Sequence, residues 1–171
     1  MHGCTQQAKA RVYTSLVRPH LETCAPVWTP HGEMAREQLE KVQRRAVRWI
    51  CGARWDKTLH QWTKHHEECR STLGLLTIQQ RHHLLLCCQV YKIVNKLDYI
   101  DFDQYFTFNS SITRRESFCI NVLPSRINSY RYSFFVNAPF VWNTLPSSVV
   151  TSTSLPMFKS KLKSLLHTNC S

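Results

Sequence analysis

The chain has 171 residues, a length that suggests one domain, or one compact domain with an appendage. Apolar residues make up 43% of it and charged residues 19%, which is not the composition of a disordered chain. It carries 22 Lys and Arg against 11 Asp and Glu, and a formal charge of +11 favours a polyanionic partner, either nucleic acid or an anionic membrane surface. The longest apolar run, LLLCCQV, is too short to span a bilayer, and MHGCTQQAKA lacks the apolar region of a secretory signal peptide. We therefore expect an intracellular protein, in the nucleus or cytoplasm, whose cysteines are reduced.

The first half of the chain has helical patterns. AKARVYTSLVRPHLETCAPVW has apolar residues at helical spacing, and Pro19 marks a kink or a fresh helical start. A second helix is predicted over about 32–51, with Gly52 as its C-cap, and a Trp- and His-rich connector follows it. A long helix is predicted over about 77–96, with one apolar stripe formed by Leu86, Val90, Ile93 and Leu97.

The second half is less regular. Residues 98–117 are predicted as a polar loop, and FCINVL and INSYRYSF alternate around Pro124-Ser125 as a candidate β-hairpin. APFVWNTLP predicts a short helix, and a last helix begins near Ser154, its possible N-cap. We therefore expect a mainly α protein, with a helical part over 1–99, a linker over 100–116, and a small, basic α+β segment over 117–171 that has a short hairpin and two helices.

The segment LEKVQRRAVRWICG, residues 39–52, combines basic and apolar residues in one helix. On a helical wheel the apolar residues gather on one face: Ala35, Leu39, Val42, Ala46, Trp49 and Ile50. The basic residues gather on the opposite face: Lys41, Arg44, Arg45 and Arg48. We expect Trp49 and Ile50 to be buried, and Arg44 and Arg48 to be exposed. This basic face is either an ordinary solvated surface or a set of cations that contact successive phosphates.

Further basic residues extend this candidate interface. Arg54 follows the helix, and Arg126 and Arg131 lie in a stretch from Ser117 to Ser171 that has no acidic residue. Trp55 and Trp62 lie beside Arg54 in the connector, where an indole can stack on a base. We nevertheless expect core packing for the tryptophans.

Histidine and cysteine suggest a metal site only weakly. His66 or His65 with Cys69, and His83 with Cys87 at i,i+4 on a helix, form a conceivable zinc set. The chain lacks the close C-x-x-C or H-x-x-x-H pair that makes such a site specific. We therefore expect buried cysteines and surface histidines, with no metal or other cofactor.

Three stretches together resemble the region after the palm in the reverse transcriptases of non-LTR (LINE-type, jockey-like) retrotransposons. The first is YTSLVRPHLETCAPVWTPH followed by LEKVQRRAVRWICG. The second, STLGLLTIQQRHHLLLCCQVYKIVNKL, is similar to their L-G-x-x-x-L-x-x-R-R…Y-K-I helix, although Arg81-His82 stands for Arg-Arg. The third, SYRYSFFVNAPFVWNTLPSSVVTSTSLPMFKSKL, is similar to their SFF-P-R…WN-x-LP…FK-x-x-L segment, although Val136-Asn137 replaces Pro-Arg.

The resemblance implies a thumb-like helical bundle that grips the sugar–phosphate backbone of RNA, DNA or an RNA–DNA hybrid beside a palm domain in the parent protein. The chain has no aromatic-x-Asp-Asp motif, and DYIDFD is a weak substitute whose carboxylates are better explained by loop solvation. We therefore expect a non-catalytic C-terminal fragment that binds nucleic acid without sequence specificity and does not bind membranes. The alternatives are a helical protein-interaction or structural module, and a retroelement remnant without a function.

Overall fold

The computed structural model describes residues 4–58, 61–63, 65–109 and 118–168, and this part of the chain is mainly helical, as predicted. It divides into two compact units. Unit 1 contains the described residues of Met1–Ala25 and Pro30–Arg81, and unit 2 contains those of Pro26–Thr29 and His82–Ser171. None of the described helices combines the length and the apolar character needed to cross a membrane.

Unit 1 begins with a helical segment that changes its winding before a proline. Helix α1 (Gln6–Val12) is followed by a π-helical turn (Tyr13–Val17) and by α2 (Arg18–Glu22). Pro19 lies in the first turn of α2, where the missing backbone N–H is least costly, and this confirms the predicted fresh helical start. Short helix α3 (Ala25–Trp28) then carries the chain across the boundary between the units.

Helix α4 (Glu33–Cys51) confirms the predicted helix over 32–51. Gly52 ends it with φ of 65°, a left-handed conformation that glycine adopts without steric cost. This turn lets the Ala53 N–H donate to the Arg48 carbonyl (2.9 Å), so the chain folds back toward the end of the helix. Strands β1 (Trp55–Asp56) and β2 (Gln61–Trp62) then pair antiparallel, a hairpin that the sequence patterns did not predict.

A buried hydrogen-bond relay connects three segments of unit 1. The Tyr13 hydroxyl donates to Oε1 of Gln43 (2.8 Å), and Nε2 of Gln43 donates to the Leu76 carbonyl (2.9 Å). All three residues are buried, so each polar group would be costly to leave unpaired. Burial is also the main reason that the pKa of Tyr13 is raised to about 12. Short helix α5 (His66–Thr72) precedes Leu76 in the chain.

The long helix α6 (Ile78–Val94) confirms the prediction over 77–96 to within a turn. Its first residues belong to unit 1 and its remainder to unit 2. Three of the four residues of the predicted stripe are buried: Leu86, Val90 and Ile93. Leu97 is exposed instead, because the helix has already ended and Lys96 adopts a positive φ of 54°.

After α6 the structure contains more helix than predicted, both within the predicted loop over 98–117 and in residues 117–171, where two helices were expected. Five helices follow it in the described residues: α7 (Phe102–Tyr105), α8 (Asn128–Arg131), α9 (Phe134–Asn143), α10 (Ser147–Val150) and α11 (Leu155–Thr168). The predicted hairpin around Pro124-Ser125 is wrong. INSYRYSF contains α8, and Ile120 forms only an isolated antiparallel bridge with Phe108. Part of the predicted loop over 98–117, residues 110–117, lies outside the described residues.

The last helix begins as predicted. The Ser154 hydroxyl accepts a hydrogen bond from the Met157 N–H (3.4 Å), and the Ser154 carbonyl accepts one from the Phe158 N–H (2.9 Å). Side-chain and backbone acceptors at this position satisfy N–H groups of the first helical turn. Ser154 therefore caps α11, which confirms the prediction.

The core of unit 2 is aromatic and holds an extended segment in place. Phe158 packs between Tyr91, at 4.6 Å between ring centroids, and Trp142, at 5.9 Å. Asn143 pairs with the backbone of Ile120 in both directions: its Oδ1 accepts from the N–H (2.9 Å) and its Nδ2 donates to the carbonyl (2.8 Å). Tyr91 also donates to the Ser152 carbonyl (2.8 Å). Unit 2 begins at His82 in this part of the chain, so the expected domain boundary near residue 99 lies within it.

Candidate nucleic-acid interface

Helix α4 is turned relative to the orientation that the helical wheel predicted. Its buried residues are Gln43, Val47 and Ile50, whereas Trp49 is 43% exposed. The prediction for Ile50 is confirmed and the prediction for Trp49 is wrong. The reason is Gln43, which is polar by type but buried because Tyr13 and Leu76 satisfy its amide. A wheel that treats glutamine as a surface residue cannot find this face.

With α4 in this orientation, two of its basic residues lie on the surface. Lys41 and Arg45 are exposed and lie four residues apart, so they share one face about 6 Å apart along the helix axis. Among the described residues neither forms an ion pair within 4 Å. These two cations are therefore the parts of α4 that are most available to an anionic ligand.

Arg44 is held by a carboxylate of its own helix. It is half-buried and forms two hydrogen bonds with Glu37, two turns earlier, which contradicts the expected exposed arginine. The hydrogen bond from Arg44, followed by its charge, lowers the pKa of Glu37 below the usual carboxyl range. Glu40, one turn before Arg44, instead accepts from the Gln79 N–H (3.1 Å). Arg44 is therefore partly neutralised.

Arg48 is also half-buried rather than exposed, and it lies against the hairpin. Its guanidinium carbon lies 4.4 Å from the centroid of the Trp62 ring, a cation–π contact that connects α4 to β2. Such a contact leaves the charge of Arg48 without a compensating carboxylate among the described residues. Arg54, immediately before β1, is exposed, and its backbone N–H donates to the Thr63 hydroxyl (3.0 Å).

The tryptophans beside these cations are not packed in a core. Trp55 is 48% exposed and Trp62 is 39% exposed, which contradicts the expected packing. Trp49 also lies on the surface, with Nζ of Lys9 at 5.5 Å from its ring centroid. Of the tryptophans expected to pack, Trp142 is the one whose burial is confirmed. An Asn-Gly or similar hairpin signal between Trp55 and Trp62 would have predicted this strand pairing, but the sequence between them contains no Gly or Asn.

A cleft of about 220 Å³ lies beside α4, but its charges compensate one another. Arg44 and Arg70 line it together with Glu40 and Glu67, and the buried Arg70 is hydrogen-bonded to Glu67. His66, also in the lining, has a lowered pKa, mainly because of burial and then because of the neighbouring side chains of His65, Arg44 and Arg48. This cleft is therefore less suited to an anion than the exposed side of α4.

The two remaining predicted cations belong to unit 2. Arg126 and Arg131 are both exposed, and Arg131 is the last residue of α8. Arg131 lines a cavity of about 350 Å³ together with Val122, Leu123, Ser125, Tyr132, Val136, Asn137 and Phe140. The predicted cations therefore divide into a set on unit 1, formed by Lys41, Arg44, Arg45, Arg48 and Arg54, and a pair on unit 2.

The conceivable zinc set is not assembled. Among the described residues no three His, Cys, Asp or Glu side chains form a group that could hold a metal ion. Burial lowers the pKa of His83 and raises the pKa of the Cys87 thiol well above its usual value, and a raised pKa opposes the thiolate that zinc requires. His66 and Cys69 lie on α5 in unit 1, whereas His83 and Cys87 belong to unit 2.

The acidic stretch DYIDFD has local structural roles. Asp98 accepts a hydrogen bond from Nε2 of Gln89 (2.8 Å), which is the main reason that its pKa is lowered. Asp101 is the N-cap of α7 and accepts from the Asp103 N–H (3.4 Å). Asp98 and Asp101 therefore lie outside a helix, as interpreted, whereas Asp103 lies in the first turn of α7.

His82 is buried in unit 2. Its Nδ1 lies 3.1 Å from the Thr29 hydroxyl, and its ring packs edge-on against Trp28 at 5.2 Å. The neighbouring Arg81, in unit 1, forms a bidentate ion pair with Glu22, with both distances 2.7 Å. Neither residue is therefore placed as a free surface cation.

In comparisons with known proteins, no family model, no curated protein and no solved structure matches this chain.

Proposed function

We propose that this chain corresponds to the region after the palm of a non-LTR retrotransposon reverse transcriptase, with unit 1 acting as a helical thumb-like bundle. In this proposal it binds RNA, DNA or an RNA–DNA hybrid through the sugar–phosphate backbone, without sequence preference and without a catalytic role of its own. The three-part sequence resemblance and the formal charge of +11 support it.

The observation that carries the proposal is the exposed pair Lys41 and Arg45 on α4. Both side chains lie on the same helix face, and neither forms an ion pair among the described residues. Their charges are therefore accessible to an anionic ligand. Phosphate contacts of this kind position a backbone and read no bases. Arg48 and Arg54 add positive charge at the end of the same helix.

Salt-dependent binding tests the proposal. We expect the chain to bind a labelled RNA–DNA hybrid at low salt, with an affinity that is the same for unrelated sequences and falls linearly on a log–log plot against salt concentration. Lys41→Gln combined with Arg45→Gln should weaken binding to every sequence and reduce the salt slope by about two, one for each phosphate that the variant no longer neutralises. Fluorescence anisotropy titrations at several salt concentrations measure both quantities.

The matched control is Lys159→Gln combined with Lys163→Gln. These two exposed lysines also lie four residues apart, on α11, and the double variant loses the same total charge. It should retain most of the affinity and of the salt slope. Absence of binding to the hybrid at low salt, or equal losses in the two double variants, would contradict the proposed interface on α4.

The pairing of Arg44 leads to a separate prediction. Glu37→Gln removes the carboxylate that holds Arg44 and lowers the local negative charge, so we expect affinity for the hybrid to rise severalfold and the salt slope to become steeper by up to about one. The same anisotropy titration measures it. Glu33→Gln, which makes the same charge change in the first turn of α4, should have a smaller effect. Equal gains would indicate general electrostatics rather than release of Arg44.

Exposed apolar residues on the first helical segment favour a second candidate function, a protein-interaction module. Leu16 is 63% exposed, and Val12, one turn earlier, and Val17 are also exposed. An uncovered apolar face of this kind promotes association. Light scattering on the purified chain separates the two candidates, because a monomer that binds nucleic acid agrees with the first and a self-associated chain that does not bind agrees with the second.

A further inference from the structure

The hairpin of unit 1 displays an aromatic pair on the surface. Trp55 and Trp62 are cross-strand partners in the antiparallel register, so their side chains leave the same face of the two strands. Their ring centroids are 5.5 Å apart, and the rings meet edge to face at 73°. Both rings remain substantially exposed despite this contact. The pair is therefore a preformed aromatic surface rather than part of a core.

Helix α4 supports this surface from one side. The guanidinium of Arg48 lies over the Trp62 ring, and the backbone turn at Gly52 brings the chain leading to β1 back to Arg48. Trp62 is thus held by both Arg48 and Trp55. Trp55 has its edge-to-face neighbour but no cation over its ring among the described residues, so its ring is the more accessible of the two.

The surroundings of Trp55 favour an anionic aromatic ligand. Arg54 and Lys57 are exposed and lie one and two residues from Trp55 in sequence, and Arg48 lies over the neighbouring Trp62 ring. Asp56, between Trp55 and Lys57, accepts a hydrogen bond from the Thr58 N–H (2.8 Å). An indole beside several cations matches a nucleotide, whose base stacks while its phosphate is neutralised. A neutral sugar ring would leave those charges unused, and a paired base in a duplex has no free face to offer.

We propose that Trp55, supported by Trp62 and Arg48, is a stacking platform for an unpaired base of a single-stranded nucleic acid. This inference rests on the proposed function and specifies its ligand: a strand with accessible bases, bound by both its backbone and one base. Stacking on an aromatic side chain tolerates any base, so the platform adds affinity without sequence specificity.

Three ligands separate stacking from backbone binding in the 171-residue chain: an oligothymidylate, an abasic deoxyribose-phosphate strand of the same length, and the RNA–DNA hybrid. We expect the oligothymidylate to bind about 5- to 160-fold more tightly than the abasic strand, the range that stacking of one base provides. Trp55→Ala should abolish this ratio and leave abasic binding unchanged. Trp55→Phe, which keeps an aromatic ring, should retain a large part of the ratio.

Trp49→Ala is the matched control, since Trp49 is a similarly exposed tryptophan on α4 outside the hairpin, and it should leave the ratio unchanged. Circular dichroism confirms that each variant is folded. Equal binding of the oligothymidylate and the abasic strand by the wild-type chain overturns the stacking platform while the backbone-binding function stands. A ratio that survives Trp55→Ala, or one that Trp49→Ala abolishes, also overturns it. Absence of binding to all three ligands instead overturns the proposed function itself.

Discussion

Replacing Trp142 by alanine is expected to lower the free energy of unfolding by about 3–5 kcal/mol, the usual cost of truncating a buried aromatic side chain. Trp142 is 2% exposed and stacks on Phe158, and its Nε1 donates to the Phe118 carbonyl (3.0 Å). The substitution therefore leaves a cavity in the core of unit 2 and an unpaired carbonyl at its edge. Urea denaturation followed by circular dichroism measures the loss.

Two further variants separate the causes of this loss. Trp49→Ala removes the same side chain from an exposed position and should cost under about 1 kcal/mol. Trp142→Phe keeps an aromatic ring but removes the hydrogen bond to Phe118, so it should cost less than Trp142→Ala and more than Trp49→Ala. A Trp142→Ala variant no less stable than Trp49→Ala would contradict the aromatic core described for unit 2.

Gln43→Ala is expected to cost about 2–6 kcal/mol, because it leaves two buried polar groups without partners at once. The Tyr13 hydroxyl loses its acceptor and the Leu76 carbonyl loses a donor, and each unsatisfied buried group costs about 1–3 kcal/mol. The free energy of unfolding of the two chains, measured in urea, checks this value.

Gln38→Ala is the control, since Gln38 is exposed on the same helix and should be nearly neutral. Adding Tyr13→Phe to Gln43→Ala removes one of the two orphaned groups. The double variant should therefore be less destabilised than the sum of the single variants, a coupling that a double-mutant cycle reports. Additive effects would contradict the relay.

Because the pKa of Tyr13 is raised above its usual value of 10.0, the chain should also lose stability as pH rises from about 10 to 12, and Tyr13→Phe should reduce this loss.

The orientation of α4 decides which cations are offered to a ligand. The sequence predicts that Arg44 and Arg48 are exposed, but the structure pairs the first with Glu37 and places the second over Trp62. Lys41 and Arg45 remain on the surface. A mutational study guided by the helical wheel alone would therefore target the two arginines that also have structural contacts, and a loss of binding could not be separated from a loss of stability.

Local rules were sufficient for the helices that have strong end signals. Gly52 ends α4 because only a residue that tolerates positive φ turns the chain there without strain, and Ser154 begins α11 because its side chain and carbonyl satisfy N–H groups of the first turn. Pro19 likewise marks the start of α2. These signals depend on a few neighbouring residues, so they can be recognised without knowing the rest of the fold.

By itself, the sequence determined the mainly helical class, the bounds of α4 and α6 to within a turn, and the excess of positive charge. Only the tertiary structure decided which face of α4 is buried, because burial of Gln43 depends on hydrogen bonds with Tyr13 and Leu76, residues distant in sequence. It also decided that Trp55 and Trp62 meet on the surface, since a two-residue strand pairing carries no periodic signal. Helix formation is local, whereas exposure of a side chain depends on every segment that packs near it.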